Sequence, residues 1–504
     1  MPQGGQVSTI VLAAGEGTRM RSATPKVLHR IAGRALVEHA VRAAVGVDPD
    51  HLVVVVGHGR QAVAEYLDGL SGDIDRKITV AVQEEQRGTG HAVGCALAAL
   101  PDVTTGTTVV TYGDVPLLDG ETLGQLVAEH HSAGNAVTVL TAVVPEPHGY
   151  GRIVRDANGN VLEIVEQKDA TPEQAAITEI NSGIYVFDTA VLLDGLSRLT
   201  TDNAQGEQYL TDVLAIARRD GRPVGAQICA DEWLVEGVND RVQLARLGAE
   251  FNRRLVENWL RAGVTMIDPA TVWLDADVAL ARDVLIEPNV QLRAGTAVYE
   301  GAVIGPDTTL SNCVVGAGAK VIRTHGTDAE IGERASVGPF AYLRPGAKLG
   351  TAGKIGTFVE VKNSEIGDGS KVPHLTYVGD ATIGEHTNIG AASVFVNYDG
   401  VRKHRTVIGS HARTGSDTMF IAPLTVGDGA YTAAGSVIDR DVPPGALGVA
   451  RARQRNVEGW VTRRRAGTPA ADAAQKAIDA QALDAQALDA RPDGETGTPD
   501  PKEQ

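Results

Sequence analysis

The chain has 504 residues, 43% hydrophobic, 22% charged and only 4% aromatic, a globular composition long enough for two to four domains. Its net charge of −17 argues against general nucleic-acid binding, and no run of about eighteen apolar residues is present to cross a membrane. Met1 to Ser8 is polar and uncharged, unlike a secretory leader, and Cys95, Cys229 and Cys313 lie far apart in apolar surroundings, which favours buried free thiols in a reducing cytoplasm over disulfides or a metal cluster.

Thr9 to Ala14 reads as a buried strand, followed by the glycine-rich turn Gly15-Glu16-Gly17-Thr18-Arg19 and by Pro25-Lys26-Val27-Leu28. Such a turn lets the backbone approach a ligand and lines up N–H groups as an anion nest. Arg19 and Lys26 add the cations that triphosphate chemistry needs. A dinucleotide fingerprint would want glycine where Met20 stands, and a P-loop would want Gly-Lys-Ser/Thr, so neither motif fits. Strands expected at His51–Val56, Lys77–Val82 and Thr107–Thr111 alternate with helical stretches at Ala35–Val45 and His91–Leu100, the pattern of an open α/β sheet. Tyr112-Gly113-Asp114 stands at the carboxyl end of the third strand, where open sheets bind ligands. An aspartate there is either a Mg2+ ligand or a turn-capping residue.

Arg241 to Val264 reads as a helix with an apolar stripe of Leu244, Leu247, Phe251, Leu255 and Trp259, a strut between two domains. Beyond it the period changes. Ile331, Val337, Leu343, Leu349, Ile355 and Val361 fall at a step of six, and four of them are followed directly by glycine. That step fits neither a helix nor an alternating strand; it predicts a parallel β-helix in which each hexapeptide forms one side of a coil. From Met266 to about Pro443, at about eighteen residues per coil, roughly ten coils are expected. The repeat breaks between Ile389 and Val407, where Asn397-Tyr398-Asp399-Gly400 precedes a basic cluster, Arg402 to Arg405, and a long interruption in a solenoid is a loop that often serves binding. Glu360 with Lys362, and His374 two hexapeptides further on, stand apart from the repeat chemistry. Arg451, Arg453, Arg455 and Arg463 to Arg465 make a basic segment around Trp460, and from Gly467 the chain is Ala-, Asp-, Gln- and Pro-rich, with Ala-Gln-Ala-Leu-Asp occurring twice, which reads as a disordered tail. The tail from Ala466 holds −5 of the net charge, leaving −12 for the folded part.

Leu12-Ala13-Ala14-Gly15-x-Gly17-Thr18-Arg19 with Pro25-Lys26, joined by Gln83, Gly88-Thr89 and Gly113-Asp114, resembles the signature of sugar-nucleotide pyrophosphorylases. Gly149-Tyr150-Gly151-Arg152-Ile153, Glu163 to Lys168, Glu179 to Gly183 and Glu236-Gly237-Val238-Asn239 narrow it. With the hexapeptide ladder, the chain from about Ile10 to about Trp460 resembles the bacterial bifunctional N-acetylglucosamine-1-phosphate uridyltransferase/glucosamine-1-phosphate N-acetyltransferase family; other members carry different residues at Glu16 and Thr24.

The resemblance implies an α/β chain: a Rossmann-like nucleotidyltransferase domain over 1–240, a linker helix over 241–265, a left-handed β-helix acetyltransferase domain over 266–458 and a basic, then acidic, tail over 459–504. It implies two reactions, N-acetylation of glucosamine-1-phosphate by acetyl-CoA and Mg2+-dependent uridylyl transfer from UTP to N-acetylglucosamine-1-phosphate, giving a cell-envelope precursor in the cytoplasm. Leu12, Ala13, Ala14, Gly15, Gln83, Gly88 and Thr89 would hold the nucleotide, Gln83 at the uracil edge. Arg19 and Lys26 would neutralise phosphate, Asp114 and Asn239 would share Mg2+, and Tyr112, Gly113, Gly151, Glu166 and Asn181 would line the sugar pocket. Arg344, Lys362, Tyr377 and Asn388 are assigned to the sugar phosphate of the second reaction, and Ala391, Asn397, Tyr398, Ser416, Ala434 and Arg451 to acetyl-CoA. His374, with an unperturbed pKa of about 6.5, suits the base that frees the amine, with Glu360 as the carboxylate that orients it. Trp460 is added on stacking grounds alone. The family's β-helices associate as homotrimers. The alternatives are a pyrophosphorylase with a purely structural β-helix, which His374, Glu360 and Lys362 speak against, and a non-catalytic scaffold, which need not keep Arg19, Lys26, Asp114 and Asn239 together.

Overall fold

The computed structural model describes residues 5–100 and 102–489, in two compact units that meet at Val449 and Ala450. The first unit opens with a mixed sheet whose strand order is Val224–Cys229, Val137–Val143, Glu179–Asp188, Thr107–Tyr112, Val7–Ala13, His51–Val56, Ile78–Val82. A hairpin, Gly151–Arg155 with Val161–Val165, is attached to Glu179–Asp188. The central strands are near-continuous aliphatic runs because helices cover both faces: Ile10, Val11, Val53, Val54 and Val110 are wholly buried. The chain runs from Val7–Ala13 outward to Ile78–Val82, then returns to pair Thr107–Tyr112 on the other side of the first strand. That reversal creates a switch point, and the crevice outside it holds the carboxyl ends of both strands, Ala13–Gly15 and Tyr112–Asp114.

The helix Arg241–Arg261 follows, capped by Asp240, whose carboxylate accepts from the Val242 and Gln243 amides at 2.9 Å each. Its apolar stripe is shared between two cores. Leu247 is buried with Met20, Ile31 and Leu36 of the sheet domain, whereas Val256 belongs to the β-helix core, against which Leu255 and Trp259 pack. Asn252 finishes the open end of the first coil: its amide donates to the Val272 carbonyl at 2.8 Å and its oxygen accepts from the Leu274 amide at 2.9 Å.

Met266 to Gly448 winds as a parallel β-helix with three flat sides, made of sheets of seven, ten and nine short parallel strands, with a further pair at the end. The six-residue ladder is the reason. Ile331 and Leu349 pair on one side, Val337 and Ile355 on the second, Leu343 and Val361 on the third, and each is at most 4% exposed. Corners that turn inward need their amides satisfied, and a column of hydroxyls does this. Ser370 Oγ accepts from the Thr387 amide at 2.8 Å, Thr387 Oγ1 accepts from the Ala412 amide at 3.0 Å, and Thr414 Oγ1 accepts from the Gly390 amide at 2.9 Å.

Three expectations are corrected. Cys313 alone is fully buried, while Cys95 and Cys229 are half-buried, all three as free thiols. Pro469–Asp489, read as disordered with no more than a transient helix, is helical: alanine-rich composition favours helix over the competing turn preferences of its aspartates. Residues 490–504 of that tail lie outside the described residues. The carboxylate of Glu360 binds Arg344 and is not with His374. Among the described residues no helix is long and apolar enough to cross a membrane.

Candidate active sites

The crevice at the switch point contains a cavity of about 320 Å3. The strand end Leu12 to Gly15 forms one wall; Gln83, Gly88 and Thr89 form another; Tyr112, Asp114, Lys26 and Asn239 close the third. Gln83 is 5% exposed, and its amide nitrogen lies 3.1 Å from both the Gly88 carbonyl and His91 Nδ1, which fixes the side chain at the wall. Lys26 and Asp114, both nearly buried, form an ion pair between Nζ and Oδ2. Lys26 is held by the glycine turn. Gly17 has φ +66°, and a Cβ there would lie 2.6 Å from the Lys26 Cβ, so only glycine lets the turn close on the lysine. Arg19 sits on the following single turn of 3-10 helix, exposed and outside the cavity wall. Gly113 is bonded to the Leu12 carbonyl through its amide at 2.9 Å, behind the wall rather than on it.

Asn239 lines the same cavity as Asp114, and the preceding residue ties the two segments together, the Val238 amide donating to the Asp114 carbonyl at 2.9 Å. Lys26 engages Oδ2 of Asp114, whereas Oδ1 faces the Gly237 backbone, where a Cβ would stand 3.7 Å away. One carboxylate and one amide on a shared wall fit Mg2+, which takes few protein ligands and keeps water and phosphate oxygens for the rest. Among the described residues no cluster of three or more acidic, His or Cys side chains offers a fuller cage.

Gly151, Glu166 and Asn181 gather beside Tyr112. Gly151 pairs Asn181 of the adjoining strand Glu179–Asp188, and a Cβ on Gly151 would come within 3.4 Å of both Glu166 Oε1 and the Asn181 Cβ. Gly183 packs edge-on against the Tyr112 ring, where a Cβ would lie 2.4 Å from Cε2, and Asn181 is fixed by the Gly183 amide and the Tyr185 hydroxyl, each at 2.9 Å. Burial pushes the Glu166 carboxyl up, with Asp169 and Asp212 adding to it, and burial, then Glu166 and Asp114, push the Tyr112 phenol up. Two polar wall residues escaped the sequence reading, Gln86, which donates to the Ala14 carbonyl at 2.9 Å, and Glu207; the apolar Val27 and Ala92 complete the wall. Both stand beside glycines, Gln86 two residues before Gly88 and Glu207 directly after Gly206, but neither falls in a periodic segment that would set it apart.

The second constellation lies on the β-helix. Leu343 and Val361 pair on adjacent coils, so Arg344 and Lys362 occupy one outward column. Lys362 Nζ contacts both oxygens of Asp380 at 3.1 and 3.0 Å, and Asp380 also accepts from Asn363 at 2.7 Å and from Asn397 at 2.5 Å. Asn397 lies 3.3 Å from the Tyr377 hydroxyl. Burial opposes the charged forms of Lys362 and Asp380, but their contact and the asparagine bonds outweigh it, leaving Lys362 raised and Asp380 lowered. Lys403, from the loop that interrupts the repeat, comes against Lys362, and that neighbouring ammonium lowers its pKa. Asp380 as hub and Lys403 as third cation were not singled out by the sequence; the basic cluster at the break was the available signal. Glu360 binds Arg344 at 2.9 Å. It stands opposite Tyr377, while His374 stands opposite Thr357 on a different side of the prism, so a corner separates the carboxylate from the imidazole.

His374 is exposed and heads a column. Parallel bridges align Lys371, Asn388, Arg413 and Tyr431, so three residues later His374, Ala391, Ser416 and Ala434 stack on successive coils. The Ala392, Asp417 and Gly435 amides donate to the His374, Ala391 and Ser416 carbonyls at 3.1, 2.7 and 2.9 Å along the same column. The column thus carries one histidine followed by three small side chains. Tyr398, 56% exposed, and the rest of its loop are braced by Asp399, which accepts from the Val401 and Arg402 amides and from His404 at 2.6–2.7 Å. In the C-terminal unit Arg451 is exposed, and Arg465 lies 5.5 Å over the half-exposed ring of Trp460.

A nucleotidyl transferase family model matches residues 8–275. The bifunctional protein GlmU of Rhodococcus jostii is 62% identical over 475 residues, covering 94% of this chain and 95% of that protein. GlmU of Corynebacterium efficiens is 61% identical, covering 93% and 96%, and GlmU of Nocardia farcinica is 60% identical, covering 95% and 97%. With a nucleotidyl transferase domain in its first half and this identity over nearly its whole length, the chain belongs to the GlmU family of bifunctional proteins.

Proposed function

We propose that the two constellations carry out consecutive reactions on one amino sugar. The chain is a bifunctional enzyme of UDP-N-acetylglucosamine biosynthesis, an N-acetyltransferase acting on glucosamine-1-phosphate and a uridyltransferase acting on the acetylated product. The observation that carries the reading is the coexistence of a cation–carboxylate cavity and a separate three-cation cluster in one chain that matches bifunctional relatives almost end to end.

In the β-helix, Arg344, Lys362 and Lys403 clamp the 1-phosphate of glucosamine-1-phosphate, with Tyr377 and Asn388 beside the sugar. Glu360 holds the Arg344 guanidinium in place for that contact. Acetyl-CoA lies along the column of Ala391, Ser416 and Ala434, flanked by Asn397 and Tyr398. His374 takes a proton from the 2-ammonium; the free amine bonds to the thioester carbon, the carbon–sulfur bond breaks, and coenzyme A leaves as a thiolate that is then protonated.

In the sheet domain, Leu12 to Gly15, Gln83, Gly88 and Thr89 receive the uridine nucleotide, and Tyr112, Gly113, Gly151, Glu166 and Asn181 the N-acetylated sugar. A phosphate oxygen of the sugar phosphate bonds to the α-phosphorus of UTP as the bond to pyrophosphate breaks. That oxygen is already ionised, so no side-chain base is needed, and the difficulty is the repulsion of two polyanions. Arg19 and Lys26 offset this charge and align the reactants. Asp114 and Asn239 are the ligands we assign to Mg2+, which when bound supplies further charge neutralisation at phosphate oxygens.

We assign a homotrimer assembled through the β-helix and a cytoplasmic location. The association is supported by an exposed apolar ladder at one corner: Phe340 and Phe358 stack at 5.4 Å while 50% and 59% exposed, with Leu375 next in line at 59%. A split assay tests the two activities. One half supplies glucosamine-1-phosphate and acetyl-CoA and follows free thiol; the other supplies N-acetylglucosamine-1-phosphate, UTP and Mg2+ and follows pyrophosphate. Both signals are expected, and pyrophosphate without thiol would reduce the β-helix to an assembly device.

A further inference from the structure

Arg152 is 2% exposed, one of the largest fully buried side chains of the chain, and none of its hydrogen-bond acceptors is a carboxylate. Its Nη1 donates to the Tyr150 carbonyl, its Nη2 donates to Gln167 Oε1 at 2.8 Å and to the Ala175 carbonyl at 3.3 Å, and its Nε has no partner. Burying a cation without a counter-ion is unfavourable, and an aliphatic side chain would fill the space without that penalty. What the buried guanidinium adds in return is a set of directed hydrogen bonds that packing alone would not supply.

What it holds is the pair of segments on which the sugar pocket is built. Tyr150 directly precedes Gly151, and Gln167 directly follows Glu166. Gln167 Oε1 also accepts from the Gly149 amide at 3.1 Å, so one oxygen joins the guanidinium to the start of the Gly149–Gly151 turn, while Nη1 holds its middle at the Tyr150 carbonyl. Successive residues of a strand face opposite ways, and Gly151 pairs Asn181 while Arg152 pairs Ile180. Arg152 therefore stands on the reverse face of the hairpin from the pocket. The planar fork of the guanidinium offers donors in fixed directions, which a lysine ammonium does not reproduce.

We propose that Arg152 is a positioning residue for sugar selection: from behind the hairpin it fixes the spacing between Gly151 and Glu166, and so the width of the slot that accepts an N-acetylated sugar phosphate. The proposal rests on the reading of Gly151, Glu166 and Asn181 as the sugar pocket. It separates Arg152 from the nucleotide, whose wall is formed by Leu12 to Gly15 and Gln83 on the other side of the crevice.

The test is steady-state uridylyl transfer by the full-length Arg152→Lys and Arg152→Met variants, varying N-acetylglucosamine-1-phosphate, glucose-1-phosphate and UTP separately, with acetyl transfer measured on the same preparations as a check of folding. The expected result is a KM for N-acetylglucosamine-1-phosphate raised about 10- to 100-fold. The UTP KM should stay within about twofold, the preference over glucose-1-phosphate should fall, and lysine should give only partial rescue. Equal changes in both KM values, a loss confined to kcat, or no change would overturn the proposal. Should the methionine variant fail to fold, Gln167→Ala, which removes the shared acceptor, is expected to give the same selective rise, and its absence counts against the role. Glu166→Gln and Asn181→Ala distinguish the two levels: if they leave the sugar KM unchanged, the pocket assignment is what fails.

Discussion

At the scale of single residues, charge compensation decides what each group can do. Lys26 and Asp114 are nearly buried and satisfy one another, so removing either leaves an uncompensated charge at the nucleotide cavity. Asp114→Ala is expected to lower uridylyl transfer about 10²- to 10³-fold while acetyl transfer persists. His374→Ala is expected to do the reverse, with thiol release falling about 10²- to 10⁴-fold. Parallel loss of both activities in either folded variant would contradict separate sites. A second residue prediction concerns acid stability. His130 is 4% exposed, lies 3.0 Å from the Thr138 hydroxyl through Nδ1, and is held down to about 4 from 6.5, mainly by burial, with His131 adding to it and Asp188 opposing. The folded state thus binds fewer protons than the unfolded one between those values. This contribution is fully present above pH 6.5 and is lost as the pH falls towards 4, by about 3 kcal/mol at most. Melting temperatures across that range should fall more steeply for the wild type than for His130→Gln, which has no proton to take up; equal slopes would remove His130 from the account.

At the scale of elements, the β-helix depends on corner hydroxyls as much as on its aliphatic ladder. Thr387 Oγ1 donates to the Gly409 carbonyl at 2.7 Å and accepts from the Ala412 amide at 3.0 Å, so one hydroxyl closes two backbone groups between coils. Thr387→Val keeps the shape and strands both groups. A loss of about 1–3 kcal/mol is expected, read as a lower melting temperature with near-normal acetyl transfer at low temperature. A melting temperature equal to the wild type would show that water or backbone shift replaces those bonds. The linking helix illustrates a different economy. Its stripe of Leu244, Leu247, Phe251, Leu255 and Trp259 is legible as helical from spacing alone, yet spacing does not reveal that Leu247 serves one core and Val256 the other. Nor does it reveal that Asn252 finishes the first coil, because that bond exists only once the helix meets the β-helix end.

At the scale of the whole molecule, the exposed ladder of Phe340, Phe358 and Leu375 is the surface on which assembly is expected to turn. Replacing Phe340 and Phe358 together by Glu should shift the sedimentation coefficient to that of a monomer, and acetyl transfer should drop while uridylyl transfer is retained. An unchanged sedimentation coefficient would place the association surface elsewhere. The outcome bears on the exposure of His374, which stands open along one chain beside the small side chains of its column.

Sequence alone determined the period and the punctuation. A step of six from Ile331 to Val361 admits one stacked solution, since each aliphatic must fall on the next flat side, and each does. The glycine turn before Lys26 and the strand-end Asp114 were equally legible, because close backbone approach and a switch point both leave local marks. The tertiary structure decided the pairings between distant charges. Glu360 went to Arg344 rather than to His374, because the coil register sets them on adjacent coils of one side while a corner intervenes before the histidine. Asp380 became the hub of Lys362, Asn363 and Asn397, and Lys403 arrived from the loop, since no spacing rule specifies where an interruption folds back. Arg152 shows the same division: its motif is visible in the chain, but that it is buried without a carboxylate partner, on the reverse face of the hairpin from Gly151, follows only from the three-dimensional packing.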